Sequence, residues 1–149
     1  PRAISHIFRA MNDRPDLAFR INVSYVEIYN EHLFDLLAVR LPSGVRNPSI
    51  PANVDLALQE DALSGAIHIK GLNKKEITTE QQCLDALFQG DNARAIGEHS
   101  LNQQSTRSHC IYTIYLETRS RVESSEKVLV SKLNLIDLAG QCFTYMSNL

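Results

Sequence analysis

The alternation of apolar and polar positions divides the 149-residue chain into a helix, a long strand, a loop-rich centre, a second helix and two further strands. Ile4, Ile7, Phe8 and Met11 recur at helical spacing, which predicts an amphipathic helix over Arg2–Met11 with its apolar stripe on a sheet. Asn12-Asp-Arg-Pro15 ends it, and His6, beside the stripe, reads as a surface or packing residue. Phe19, Ile21, Val23 and Tyr25 alternate with Arg20, Asn22 and Ser24. Val26 and Ile28 then make the second face apolar, so a long strand covered on both sides in its later half is expected. Glu27 inside such a strand needs a hydrogen-bonding or ion-pairing partner. Asn30–Leu37 turns, with Phe34, Leu36 and Leu37 as a small apolar cluster.

The composition from Ala38 to Val54, with Pro42, Gly44, Pro48 and Pro51, predicts a long surface loop. Leu56–Leu58 and Ile67–Ile69 are short alternating pieces that fit a hairpin. Thr79-x-x-Gln82 is a capping-box pattern, and Cys83, Leu84, Leu87 and Phe88 predict one face of a helix ending near Gly90, with Arg94 beyond its end. Two apolar runs follow, Cys110–Leu116 and Val128–Ile136, each read as a buried strand and paired across Arg119–Lys127.

Two polar stretches fall at the ends of those last strands: Asn102-Gln-Gln-Ser-Thr-Arg-Ser-His109 before one, and Asp137-Leu-Ala-Gly140 after the other. Serine and threonine oxygens can ligate Mg²⁺ or orient a water, arginine can pair with phosphate or carboxylate, and a glycine amide can approach a phosphate closely. Taken singly, each stretch reads as well as a solvated turn. Their order and spacing together resemble switch I and switch II of the kinesin motor domain, which usually read Asn-x-x-Ser-Ser-Arg-Ser-His and Asp-Leu-Ala-Gly-Ser-Glu. Val23-Ser-Tyr-Val-Glu-Ile-Tyr-Asn-Glu31 with Asp35-Leu-Leu37 resembles the kinesin strand and turn before the microtubule-facing hairpin. Ile69-Lys-Gly-Leu72 resembles the end of that hairpin, and Gly90-Asp-Asn-Ala-Arg94 the end of the helix leading into switch I.

The resemblance implies an α/β fold, a three-layer P-loop NTPase-like mixed sheet flanked by helices, here incomplete. Residues 1–140 would be the central part of a motor domain, and 141–149 a tail unlike the family. It implies ATP and Mg²⁺ as cofactors in the complete domain. Ser105, Thr106 and Ser108 would be the switch I hydroxyls, one of them contacting Mg²⁺ and another positioning water, and Asn102 lies in the same loop. Thr106 and Asp137 would serve the metal, the Gly140 amide would sense the γ-phosphate, and Arg107 would pair with a switch II Glu. Arg94 could face phosphate or water. Lys70, extended by Lys74 and Lys75, would meet tubulin, although Ala62 falls where many relatives carry a basic residue. Asn102–Leu116 and the Leu33–Leu37 region look most like the class associated with cilia and flagella, so microtubules of the cytoplasm or cilium are the expected location. The parent protein is expected to dimerise through a coiled coil outside this sequence.

Formal net charge is −2, so no global basic field draws the chain to nucleic acid or to an acidic filament. Cys83, Cys110 and Cys142 are odd in number and show no metal-ligand spacing, which fits a reduced compartment. No apolar run approaches the roughly 20 residues of a membrane span, and no basic-then-apolar leader opens the chain. A start at Pro1 fits a sequence lying inside a larger protein. Two elements of the family's chemistry are missing: no Gly-x-x-x-x-Gly-Lys-Ser/Thr occurs in the 149 residues, and Cys142 stands where the switch II Glu would be. The expectation is therefore a motor fragment that is inactive alone, with a nucleotide-independent tubulin-binding module or an inert truncated product as the competing readings.

Overall fold

The computed structural model describes residues 2–38, 56–63, 65–100, 108–122 and 127–139, the side chains of 95–100 excepted. Along the chain run α1 (Arg2–Asn12), β1 (Leu17–Tyr29), β2 (His32–Asp35), β3 (Ala57–Glu60), β4 (Ile67–Lys70), β5 (Lys75–Ile77), α2 (Glu80–Ser100), β6 (Ser108–Ser120) and β7 (Val128–Asp137). The main sheet has five strands in the order β2-β1-β6-β7, with β5 also on β1, and β3-β4 is a separate hairpin. Every pairing among the described residues is antiparallel.

β1 is the hub. One edge pairs along its whole length with β6, and the other is shared by β5 and β2. Residues opposite each other in an antiparallel ladder share a face. Val23, Tyr25 and Glu27 of β1 therefore stand in rows with Ile114, Tyr112 and Cys110 of β6 and with Leu133, Leu135 and Asp137 of β7. The apolar part of this face is the core. It buries Ile21, Val23, Tyr25, Cys110, Tyr112 and Ile114 against Ile4 of α1 and Cys83 and Ala86 of α2. Ile7, Phe8 and Met11 of α1 pack on the same cluster at the predicted spacing. The described residues thus supply a sheet and one helical layer of the expected incomplete α/β fold.

Tyr25 and Tyr112 cross nearly edge-on, with centroids 5.3 Å apart, and both hydroxyls reach α2. Tyr112 donates to the Cys83 carbonyl at 2.9 Å and Tyr25 to Asp91 at 2.8 Å. Burial, reinforced by these partners, raises both phenols well above their ordinary pKa.

Several sequence expectations need correction. α2 does not end near Gly90 but runs ten residues further, to Ser100. Gly90 is a packing residue rather than a terminator: a Cβ there would lie 2.1 Å from the Tyr25 ring. Arg94 accordingly sits within the helix, and Phe88, turned to solvent at 58% exposure, is not on the buried face. Asn30 and Glu31, both at positive φ, form a two-residue turn that returns the chain as β2, a strand the sequence reading missed. Leu36 and Leu37 are buried as expected, but Phe34 is 37% exposed.

The N-terminus of α2 follows its capping pattern with one shift. The Gln82 amide donates to Thr79 Oγ1 at 3.2 Å, while the Gln82 side chain accepts from the Thr78 amide at 2.9 Å, one residue earlier than in the usual box. β7, expected to be buried, has no strand on its outer edge among the described residues, and Leu129, Val130, Ile136 and Leu138 are mostly exposed.

Candidate functional site

The row Glu27, Cys110, Asp137 crosses three strands at one end of the sheet, on the side covered by α2. Ser108 begins β6 one step further along the same face, opposite Tyr29. Arg94, carried by the extra turns of α2, reaches over this row. Its Nη2 donates to Ser108 Oγ at 3.3 Å, its Nη1 lies 3.5 Å from Asp137 Oδ2, and its Nε lies 3.7 Å from Glu27 Oε1. Arg94 and Glu27 are largely buried, whereas the Asp137 side chain is 75% exposed. One guanidinium, with its fixed fork of donors, thus joins three strands. Glu27 finds here the partner that its position in a covered strand demanded.

A second tie runs between the two polar stretches. The Ala139 amide donates to His109 Nδ1 at 3.1 Å, so the chain leaving β7 is held to the start of β6. His109 appeared in the sequence only as a motif letter, and a ring nitrogen accepting from a backbone amide 30 residues away carries no local signal. Beneath Arg94 the Cys110 thiol is pushed up to about 11. Burial is the main cause, the Arg94 charge works against it, and the carboxylates of Glu27, Asp137 and Asp91 add to it.

Of the sequence-derived site residues, Arg94, Ser108 and Asp137 come together. Asn102, Ser105, Thr106, Arg107 and Gly140 lie outside the described residues. Carboxylate oxygens are hard donors of the kind Mg²⁺ takes; of the two residues expected at the metal, Thr106 lies outside the described residues and Asp137 is paired with Arg94. Among the described residues no cluster of three or more His, Cys, Asp or Glu could hold a metal by itself.

The three lysines do not extend one patch. Lys75 shares a face with Val23 and donates to Gln89 of α2 at 3.3 Å. Lys74 lies on the opposite face, its Nζ 4.4 Å from the Tyr115 ring centroid, with Lys132 at 5.7 Å from the same ring. Alternation along a strand sends neighbouring residues to opposite sides, and β5 begins at Lys75. Lys70 ends β4 at the base of the exposed hairpin.

A sheet whose strand ends carry a serine and an aspartate under one arginine, with helices packed on the same face, defines an α/β domain. The comparisons make the class specific. The kinesin motor domain family model matches residues 1–145. Kinesin-like protein KIF9 of Mus musculus is 43% identical over 140 residues, and kinesin-like protein KLP1 of Chlamydomonas reinhardtii is 41% identical over 141. In both, the match takes in 94% of this chain and 17% of the relative. A solved structure of a fast kinesin, titled for its implications for ATPase mechanism and interactions with microtubules, superposes with a TM-score of 0.77 at 30% identity. That match covers 94% of this chain and 36% of the other. The chain belongs to the kinesin motor domain family, and it spans 17% of the length of these curated relatives.

Proposed function

We infer that this chain is the switch-bearing part of the motor domain of an ATP-driven microtubule motor and that, by itself, it neither holds nor hydrolyses ATP. The observation that carries the reading is Arg94 bridging Ser108 and Asp137, which brings the end of one switch stretch to the start of the other. In this reading Ser105, Thr106 and Ser108 supply the hydroxyls of the sensor, and Thr106 and Asp137 hold Mg²⁺. The Gly140 amide faces the γ-phosphate, and Asn102 and Arg107 shape the loop. The metal, when bound, neutralises charge on the phosphate oxygens. Arg94 serves as the counter-charge that keeps Asp137 and Glu27 in place, rather than as a phosphate ligand.

The phosphate-cradling half is absent from the 149 residues: the nest of backbone amides and the lysine, which contribute most of the affinity for nucleotide. Arg107 also lacks its glutamate, and the neutral Cys142 cannot replace a carboxylate. The match to the family model runs on through residue 145, so only residues 146–149 of the expected tail lie beyond it. Labelled ATP at near-millimolar concentration is therefore expected to leave the chain unbound, and micromolar binding with turnover would refute this. A Gly-rich Lys-Ser/Thr loop encoded upstream in the transcript, with Ser-Glu following Gly140 in an alternative one, would supply the rest of the motor. Movement, a cytoskeletal and ciliary location and dimerisation through a coiled coil belong to that parent protein.

A second reading rests on the hairpin β3-β4, which stands apart from the main sheet and exposes Leu58, Leu63 and Ile67. Such a surface, with Lys70 at its base, suits tubulin binding without nucleotide. Cosedimentation with microtubules that ignores ATP analogues supports this reading; no cosedimentation at low salt refutes it.

A further inference from the structure

The hairpin and the main sheet share no strand pairing, yet the chain passes from β4 to β5 through only Gly71–Lys74. Asp35, at the end of β2, holds that passage. Its Oδ1 accepts from the Leu37 amide at 2.8 Å and its Oδ2 from the Asn73 amide at 2.8 Å, while Asn73 Nδ2 donates back to the Leu37 carbonyl at 3.4 Å. Both oxygens of one carboxylate are thus used on backbone amides 36 residues apart, and such charge-assisted bonds are roughly twice as strong as neutral ones. Leu36 and Leu37, buried beside Asp35, anchor the clamp in the core. On the other side of Asn73, Lys74 is laid over Tyr115 and Lys75 enters its pairing with Val23. Gly71, at φ +83°, turns the chain just before the clamp. The hairpin therefore leaves the sheet from a fixed point, with its base set from both sides.

We propose that Asp35 is a positioning residue for filament binding: by gripping the Leu37 and Asn73 amides together, it fixes the direction in which the β3-β4 hairpin and Lys70 project from the sheet. This rests on the tubulin-binding role proposed for the hairpin. It adds that affinity depends on a carboxylate facing the sheet rather than the filament, because a hairpin free to swing must be ordered on binding.

The experiment uses the 149-residue chain, its Asp35→Ala variant and Asp35→Asn, which keeps one carbonyl acceptor. Residual dipolar couplings of β3 and β4 amides are fitted with the alignment tensor of β1 and β6, and microtubule cosedimentation is measured at low salt. In the wild-type chain one tensor is expected to fit both sheets. In Asp35→Ala the β1 and β6 couplings stay intact, the hairpin no longer fits, and microtubule affinity falls by roughly five- to tenfold. Asp35→Asn falls between, a graded recovery that mere loss of folding would not give.

If Asp35→Ala unfolds, Asn73→Pro, which removes the amide donor to Oδ2 together with the Nδ2 bond to the Leu37 carbonyl and lies outside any strand, takes its place with the same readouts. A hairpin that keeps the common tensor in these variants overturns the proposal, as does unchanged microtubule affinity with the tensor lost. A wild-type chain that aligns as one body but never cosediments refutes tubulin binding by this chain, and the positioning role with it. Alignment lost in the variants then still identifies Asp35 as the hairpin's clamp.

Discussion

Gly90→Ala tests the packing of α2 on the sheet most directly. At an ordinary helix position the change stabilises by about 1 kcal/mol, because alanine gives up less backbone freedom than glycine. Here the new Cβ would sit 2.1 Å from Tyr25 Cδ1 and 2.6 Å from Cε1, well inside van der Waals contact. The ring cannot simply swing aside: Tyr25 is 5% exposed, crosses Tyr112 edge-on and donates to Asp91. Overpacking of this kind costs about 1–3 kcal/mol, and a lost hydrogen bond to a carboxylate about 1.5–3 kcal/mol. Set against the propensity gain, a net destabilisation of about 2–4 kcal/mol is expected. Urea unfolding followed by far-UV circular dichroism measures it, with an unchanged m-value showing that the same surface is exposed. Removing the ring reverses the sign: in a Tyr25→Ala background, Gly90→Ala is expected to stabilise by about 1 kcal/mol. A single Gly90→Ala variant as stable as the parent, or more so, would refute this account of why the helix passes through Gly90.

Three further outcomes are expected. Arg94→Gln leaves Glu27 largely buried without its counter-charge and is expected to cost about 2–4 kcal/mol in a thermal or urea melt, with Glu27→Gln in the same chain recovering part of the loss. Stability is expected to hold to about pH 9 and then fall. Below that pH the Cys110 thiol keeps its proton in both states. Between the ordinary value of 9.0 and about 11 the unfolded chain loses it first, at a cost of about 2–3 kcal/mol, which a pH series of melts with thiolate absorbance at 240 nm would follow. Val130→Lys, facing Glu117 across the ladder on a strand with no outer partner among the described residues, is expected to raise the concentration at which light scattering first detects association.

Much of this architecture could be read from the order of residues. Ile4, Ile7, Phe8 and Met11 marked α1 because a helical stripe on a sheet has only one spacing to obey. The long β1 announced itself through Phe19–Ile28, and the β6-β7 pair through two apolar runs with a polar connection. What escaped were features set by contacts distant in sequence. Gly90 looked like a helix end, since local propensity cannot anticipate a tyrosine ring arriving from 65 positions away, and with that misreading Arg94 fell outside the helix that aims it. β5 is three residues, two of them charged, and exists because β1 offers an edge and Arg20 grips Glu76 through two bonds of 3.1 Å. Lys74 and Lys75 looked like one basic patch until that pairing turned them to opposite faces. At the site, the motif letters placed Ser108 and Asp137 at strand ends, but nothing in them said that one arginine would span both together with Glu27.

The ladder between β1 and β6 has a consequence for the birth of the protein. Ser24 and Tyr115, whose side chains meet at 3.3 Å, are 91 residues apart. At synthesis rates of about 5–20 residues per second, β1 leaves the ribosome roughly 5–18 s before the strand that covers its longer edge. During that interval the described strands that can pair with it are β2, a four-residue neighbour reached by a two-residue turn, and then the three-residue β5, both on its other edge. Chaperones that grasp extended apolar segments would have their opportunity there, and slowing translation downstream of β1 would lengthen it.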